Sequence, residues 1–258
     1  MYLKPYYMDQ QTILILHDSF DFMSHMKPQT MDMIFADPPY FLSNGGISTS
    51  GGKIVCVNKG KWDHVASFKE KHNFNLQWIK LAKKILKPNG TIWISGSMHN
   101  IYSVGVALEQ NNFKIMNNIT WQKTSPPRNL TKKYFTHSTE TILWARKKSA
   151  HSHCFNYQQM CLLNNGQQMT DVWPIAAVPK IEKTFGYHPT QKPEFLLRQI
   201  VLASTNPGDY ILDPFMGSGT TGVIAKKLGR QFIGIDQEKQ YVNLAYRRII
   251  NTKKIESK

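Results

Sequence analysis

The stretch YILDPFMGSGTTGVIAKKLGRQFIGID, residues 210–236, leaves the chain few folds to choose from. A hydrophobic strand ends in Asp213. A tight turn follows, holding Gly217 and Gly219. A helix opens at Thr220 and runs through Ala225 and Leu228. A second strand, Phe232 to Ile235, ends in Asp236. This is a βαβ unit, and parallel strands joined through a helix belong to a sheet with covered faces. The glycines let the backbone approach a ligand closely. Asp236, at the tip of the second strand, can accept hydrogen bonds from both hydroxyls of a ribose.

The turn lacks G-x-G-x-x-G spacing, and no Walker lysine is present. Asp213 sits where a pyrophosphate would be repelled. A carboxylate there suits a ligand with a positive end, such as the amino-acid moiety of S-adenosylmethionine. The plainer alternative is a strand–turn–helix capped by a threonine, which leaves both strand-terminal aspartates unexplained.

The rest of the chain alternates in the same manner. Residues 12–16 read as a strand, 19–26 as a short helix and 31–36 as a strand. Apolar residues at helical spacing (Phe74, Trp78, Leu81, Ala82, Ile85, Leu86) predict a helix over 68–87, stopped by Lys87-Pro88-Asn89-Gly90. Strands follow at 91–95, 114–121, 139–145, 209–213 and 231–235, with helices at 100–111, 193–205, 219–228 and 239–251. Residues 41–60, rich in Gly, Ser and Asn, read as a mobile loop. Residues 148–187 show no clean period and read as an insert. The expected fold is α/β, a doubly wound, mostly parallel sheet, with ligands beyond the carboxyl ends of the strands. One domain is expected, built from 1–147 and 188–258, with the insert between them.

The strand at 31–36 runs into Asp37-Pro38-Pro39-Tyr40. Each proline fixes its own φ and restricts the residue before it, so the carboxylate is held. Neither proline has an N–H. Asp37 and the Pro38 carbonyl therefore present acceptors with no competing amide donor at those two positions. An exocyclic amino group needs two acceptors. Tyr40 offers a flat face for stacking, worth about 1–3 kcal/mol per base. The tetrapeptide reads as a clamp on a nucleobase amino group. Held by both N–H bonds, the nitrogen is drawn toward tetrahedral geometry and its lone pair can attack a sulfonium methyl in line. Such catalysis is positioning and electrostatics, with no metal or covalent intermediate. For the tetrapeptide alone, a turn is the alternative, since Asp-Pro often begins one.

Thirty-two basic against 17 acidic residues give a formal charge of +15. That surplus suits a polyanionic partner, nucleic acid first and an anionic membrane surface second. Residues 121–150 hold Lys123, Arg128, Lys132, Lys133, Arg146, Lys147 and Lys148 against a single acid, Glu140, with Trp121, Tyr134, Phe135 and Trp144 interleaved. This suits a surface that tracks phosphates and stacks bases; Trp144 and Phe135 could equally be core. Lys123, Arg128, Lys132, Lys133, Lys147 and Lys148 are the expected DNA contacts. Residues 148–187 are the expected place for base readout. A target amino group inside a duplex must be flipped out, and the 41–60 loop is a candidate lid over it.

Cys56, Cys154 and Cys161 form no C-x-x-C pair, and His151-x-His153 with Cys154 lacks a second pair, so no metal site is expected. No cysteine follows a proline, which disfavours methylation at cytosine carbon 5. Neither a secretory h-region nor an eighteen-residue apolar window is found, and a cytoplasmic location is expected.

Asp37-Pro38-Pro39-Tyr40 resembles the catalytic motif of the amino-methylating DNA methyltransferases, and DPFMGSGTT resembles their S-adenosylmethionine motif. With the catalytic motif first and the cofactor motif last, the order is similar to that of the β class. This implies a circularly permuted methyltransferase sheet, in which the strand ending at Leu16 lies beside the one ending at Ile235. It also implies cofactor contacts at Asp213, Phe215, Gly217, Gly219, Thr220, Thr221 and Asp236. HPTQKP (188–193) resembles the segment near the methionine carboxylate, implying His188, Thr190 and Lys192. HDSFDF (17–22) is similar to the segment whose acid, here Asp18, contacts the adenine.

FADPPYFLSNGGIS, WISGSMHNIYSVG, NNITWQK and YFTHSTETILWARK resemble, more closely, the second adenine methylases of Dpn-type GATC restriction–modification systems. That resemblance implies transfer to N6 of adenine in GATC, with single-stranded DNA as a further substrate and a companion restriction endonuclease acting on the same site. The motifs alone leave open N4-cytosine methylation, which needs the same clamp, and a non-catalytic nucleic-acid-binding role. Oligomeric state is open too, a homodimer being one option.

Overall fold

The computed structural model describes every residue except 1–3, 42–46, 51–52, 57–66, 127, 130–131 and 255–258, and the backbone alone at 47–50 and 53–56. Its elements in chain order are β1 (Tyr7–Met8), β2 (Thr12–Leu16), α1 (Ser19–His25), β3 (Met31–Ala36), β4 (Ile47–Ser50), β5 (Lys53–Cys56), α2 (Phe68–Ile85), β6 (Leu86–Gly96), α3 (Ile101–Gln110), β7 (Phe113–Lys123), β8 (Thr139–Lys147), α4 (Tyr157–Leu163), β9 (Val172–Ile175), α5 (Glu194–Ser204), β10 (Tyr210–Asp213), α6 (Thr220–Lys227), β11 (Gln231–Asp236) and α7 (Lys239–Ile250).

Among the described residues, nine strands form one sheet in the order β1-β2-β11-β10-β3-β6-β8-β7-β9. The run from β2 to β6 is parallel throughout. β1 and β8 run against it. The expected neighbours meet: Ile15 pairs with Ile235 and Leu16 with Asp236. Consecutive side chains point to opposite faces. Met33, Phe35 and Trp93 therefore join a core with Ile200 of α5, Val223 of α6 and Val242 of α7. Ile34, Ala36 and Ile92 join the other with Met23 of α1, Trp78 of α2 and Val104 of α3. Each buried Val, Ile, Phe or Met side chain of these cores stabilises by about 1.5–3 kcal/mol.

Helix α2 starts at a capping box. Ser67 Oγ accepts from the Glu70 amide at 3.3 Å, and Glu70 Oε2 accepts from the Ser67 amide at 2.8 Å. The cap contributes about 1 kcal/mol. The helix then buries Trp78, Ile79, Ala82 and Ile85. It ends at Ile85, and β6 starts at once, earlier than its sequence suggests. Met31 pairs with Leu86 but Met33 with Thr91, so Lys87-Pro88-Asn89-Gly90 bulge opposite Asp32. Lys87 Nζ lies 2.8 Å from both Asp32 oxygens. A Cβ at Gly90 would come within 2.8 Å of the Asp32 carbonyl, so a glycine fits that approach.

Three further departures from expectation have simple causes. β1 is two residues long, too short to show alternation; its Tyr7 ring packs 4.9 Å from Tyr246. In the 41–60 segment, β4 and β5 pair antiparallel where a mobile loop is expected. The remainder of that lid candidate, save Phe41, lies outside the described residues. The 148–187 stretch supplies α4 and β9, and its Met160, Trp173 and Ile175 are buried in the main core. β9 pairs parallel with β7, so part of this stretch is sheet edge. No helix among the described residues is long and apolar enough to cross a membrane.

Candidate active site

Strand order assembles the site. β2, β11, β10 and β3 are consecutive and parallel. Asp236 and Asp213 are the last residues of β11 and β10, Asp37 follows β3 directly, and Asp18 comes two residues after β2. Four acids far apart in sequence thus stand along one edge, at the carboxyl ends of the strands.

A cavity of about 190 Å³ opens beside them, lined by Asp18, Phe20, Asp37, Phe74, His188, Phe215, Gly217, Asp236, Glu238 and Tyr241 among others. A narrower one of about 30 Å³ is lined by Asp37, His188, Thr190, Lys192, Asp213, Phe215, Gly217, Thr220 and Thr221 among others. Asp37, His188, Phe215 and Gly217 line both.

The glycine turn is tied by its acids. Asp213 accepts from the Phe215 amide at 3.1 Å and the Thr221 hydroxyl at 2.6 Å. Asp236 accepts from the amides of Gly217 at 2.9 Å and Glu238 at 2.8 Å. Burial pushes Asp213 up to about 7 against the pull of Thr221 and Phe215. It likewise pushes Asp236 up to about 6 against its amide donors. Asp18 caps α1, accepting from the Asp21 amide at 2.9 Å, and lines the larger cavity. The neighbouring Ser19 hydroxyl donates to the Pro214 carbonyl, tying α1 to the turn.

The two glycines divide the labour. Gly217 lines both cavities at φ 49°, and a Cβ there would meet the His188 ring at 3.0 Å. Gly219, expected at the cofactor, also meets a packing demand. At φ 72° its missing Cβ would fall 2.6 Å from Ala245 Cβ, so it serves the approach of α7. Thr220 lines the narrow cavity while its hydroxyl donates to the Lys192 carbonyl at 3.1 Å and accepts from Arg248 at 2.8 Å.

The Asp37–Tyr40 segment is buried at Pro38 and Tyr40, and the Pro39 carbonyl accepts from Asn100 Nδ2 at 3.0 Å. Tyr40 donates to Asp37 Oδ1 at 2.7 Å. Lys192 donates to Asp37 Oδ2. Lys192, expected near the methionine carboxylate, lines the narrow cavity with its ammonium bonded to Asp37. The same ammonium lies 5.5 Å from the centroid of the Tyr40 ring, which is only 7% exposed. Lys192 Nζ sits at the hydroxyl edge of that ring, 3.2 Å from the oxygen.

Glu140 closes the group. Its Oε1 pairs with Lys123 at 2.6 Å, and its Oε2 lies 3.3 Å from the Tyr40 hydroxyl and 3.7 Å from Lys192 Nζ. Burial opposes charge on Lys192, but Asp37 and Glu140 outweigh it and raise its pKa. Burial likewise opposes charge on Glu140, and Lys192 and Lys123 outweigh it and lower its pKa. Burial first, then Asp37 and Glu140, lift the Tyr40 phenol well above its usual value.

Two expected DNA contacts lie elsewhere. Lys147 is buried and donates to the Leu86 carbonyl. Lys148 is exposed but follows it at the amino end of β6, roughly 26 Å of strand from Glu140. Lys123 is at the right end of the sheet, with its ammonium paired to Glu140. Arg128, Lys132 and Lys133 are exposed. Trp144 is core, stacked on Trp93 at 4.8 Å, whereas Phe135 is 95% exposed. Sequence reading missed Glu140, Phe20, Glu238 and Tyr241 as site residues, and read Phe74 only as helix packing. Glu140 alone carried a signal: it is the single acid in a basic run.

Residues 31–247 match the N6/N4 methyltransferase family model, described as DNA methylase, and the chain belongs to that family. It is 66% identical over 247 residues to the Type II methyltransferase M2.DpnII of Streptococcus pneumoniae, covering 95% of this chain and 92% of that one. It is 51% identical over 250 residues to the Type II methyltransferase M2.MboI of Moraxella bovis, covering 96% and 92%. Among solved structures it resembles the M1.HpyAVI–SAM complex, with a TM-score of 0.69 and 30% identity over 93% of this chain and 99% of that one.

Proposed function

We propose that this DNA methyltransferase moves a methyl group from S-adenosylmethionine to N6 of adenine in GATC, on a flipped-out base. The observation that carries the reading is the position of Asp37, which lines both the larger cavity and the narrow one beside the glycine turn. The clamp and the methyl donor's site therefore share a wall.

The chain's residues suit that donor. Phe20, Phe74 and Phe215 offer an apolar enclosure for a purine, Asp236 acceptors for ribose hydroxyls, and buried Asp213 a counter-charge for an ammonium end. When bound, S-adenosylmethionine supplies an electrophilic sulfonium methyl. Asp37 and the Pro38 carbonyl accept the two N–H bonds of the target amino group and aim its lone pair. The buried surroundings of Asp37 strengthen that electrostatic hold by excluding water. After transfer, the surplus proton on nitrogen leaves through the carboxylate to solvent.

Adenine and GATC rest on the resemblance to the second methylases of Dpn-type systems, supported by the identity to M2.DpnII and M2.MboI. In this reading the ordering of motifs reflects a circular permutation, the exposed Arg128, Lys132 and Lys133 meet phosphates, and residues 148–187 take part in target recognition. A companion endonuclease would share the site.

The test is methyl transfer from labelled S-adenosylmethionine to GATC oligonucleotides, duplex and single-stranded, with a scrambled control and nucleoside analysis by mass. N6-methyladenine confined to GATC is the expected result. N4-methylcytosine, or label in the scrambled DNA, would overturn the assignment of base or site while keeping the clamp.

A further inference from the structure

We propose that Glu140 receives the two donors that occupy Asp37 when the target amino group enters, which makes it a positioning residue for methyl transfer. The inference rests on the reading of Asp37 as the amino-group clamp.

A clamp carboxylate must have acceptor capacity turned toward the incoming N–H. Both oxygens of Asp37 are engaged, Oδ1 by the Tyr40 hydroxyl at 2.7 Å and Oδ2 by Lys192. These two donors also lie against one atom of Glu140: Oε2 is 3.3 Å from the Tyr40 oxygen and 3.7 Å from Lys192 Nζ. A small shift hands both over.

Glu140 is held for that task. Its other oxygen is anchored by Lys123 at 2.6 Å, and its backbone is fixed in register opposite Trp121 of β7. Oε2 is the oxygen left facing Tyr40 and Lys192.

The exchange conserves charge. Asp37 and Glu140 face Lys192 and Lys123, two negative against two positive groups. Moving the ammonium from one carboxylate to the other leaves no buried charge stranded, whereas expelling it to solvent would. Lys192 Nζ also lies 3.2 Å from the Tyr40 hydroxyl, so the two donors shift as a pair. The movement thus frees the Asp37 acceptors without parting the two donors.

The test compares wild type, Glu140→Gln and Glu140→Asp as full-length protein on a GATC duplex. Steady-state methyl transfer, cofactor Kd by fluorescence titration and melting temperature are measured. Glutamine keeps the shape and an acceptor but not the charge; aspartate keeps the charge at shorter reach. The handover predicts that kcat falls at least tenfold in Glu140→Gln, less in Glu140→Asp, with cofactor Kd unchanged in both. A role in packing or simple hydrogen bonding predicts the reverse order, since glutamine is the closer shape. Glu140→Gln within twofold of wild type would overturn the inference, as would equal losses that track melting temperature. A wild type inactive on every DNA would instead overturn the clamp itself, and this inference with it.

Discussion

The Thr221 hydroxyl donates to Asp213 at 2.6 Å across the glycine turn, onto a carboxyl that burial pushes up to about 7. The folded protein therefore holds that proton more tightly than the unfolded chain does. Its contribution to stability is fully present below about pH 4 and is lost as pH rises through about 7. Asp236, pushed up to about 6, acts in the same direction. A ligand with a positive end favours the ionised carboxyl and works against this loss. The rise in melting temperature given by saturating S-adenosylmethionine should accordingly grow between pH 5 and pH 8. A rise that does not change with pH would separate Asp213 from the positive end of the ligand.

Asp37→Ala should keep cofactor affinity within about threefold, because the ring cage and the Asp236 acceptors remain. Turnover should fall by at least about 10²-fold, the usual effect of deleting a group aimed at the reacting atoms. Single-turnover methylation beside a cofactor titration measures both. Retained methylation would refute the clamp.

Asp236→Ala should weaken cofactor binding about 10- to 100-fold, as charged hydrogen bonds worth about 1.5–3 kcal/mol are lost. The amides of Gly217 and Glu238 would lose their acceptor as well, so the protein should also melt earlier. An unchanged dissociation constant in calorimetry would put the ribose elsewhere.

Gly219→Ala should act on stability first. Its φ of 72° and the 2.6 Å approach to Ala245 leave no room for a methyl group. Overpacking costs about 1–3 kcal/mol, which in a protein of this size lowers the melting temperature by roughly 2–10 °C. Thermal unfolding decides it; a melting temperature equal to wild type would show that α7 can retreat.

Neutralising Arg128, Lys132 and Lys133 together should weaken DNA binding and flatten its dependence on salt. Lys147→Ala should leave that dependence intact and lower stability, because its ammonium serves the Leu86 carbonyl inside the protein. Affinities measured across a salt series distinguish the two surfaces.

What the sequence made legible is what local chemistry dictates. The strands ending at Asp37, Asp213 and Asp236 were readable because apolar runs stop at residues that cannot continue them. Of their neighbours, only the pairing of the strand ending at Leu16 with the one ending at Ile235 was expected, from the order of the motifs; the β3–β10 pairing was not. The Lys192–Asp37 pair was not readable, since it joins segments 155 residues apart and depends on how the turn before α5 folds back. Glu140 was hidden similarly: its partners come from the turn after β3, from β7 and from the segment before α5. The fate of the lysines depended on strand length. Lys123 and Lys147 look alike in a basic run, but β7 and β8 carry them to opposite ends of the sheet.

The pairing of β2 with β11 joins the first long strand to the last one. A ribosome delivers those strands at opposite ends of synthesis. Asp37 to Tyr40 emerge early, yet Asp236, Glu238 and Tyr241, one wall of the larger cavity, come only when most of the chain is made. Contacts so distant in sequence are slow to close. A nascent or prematurely released chain would carry the whole tetrapeptide and have no seat for the methyl donor.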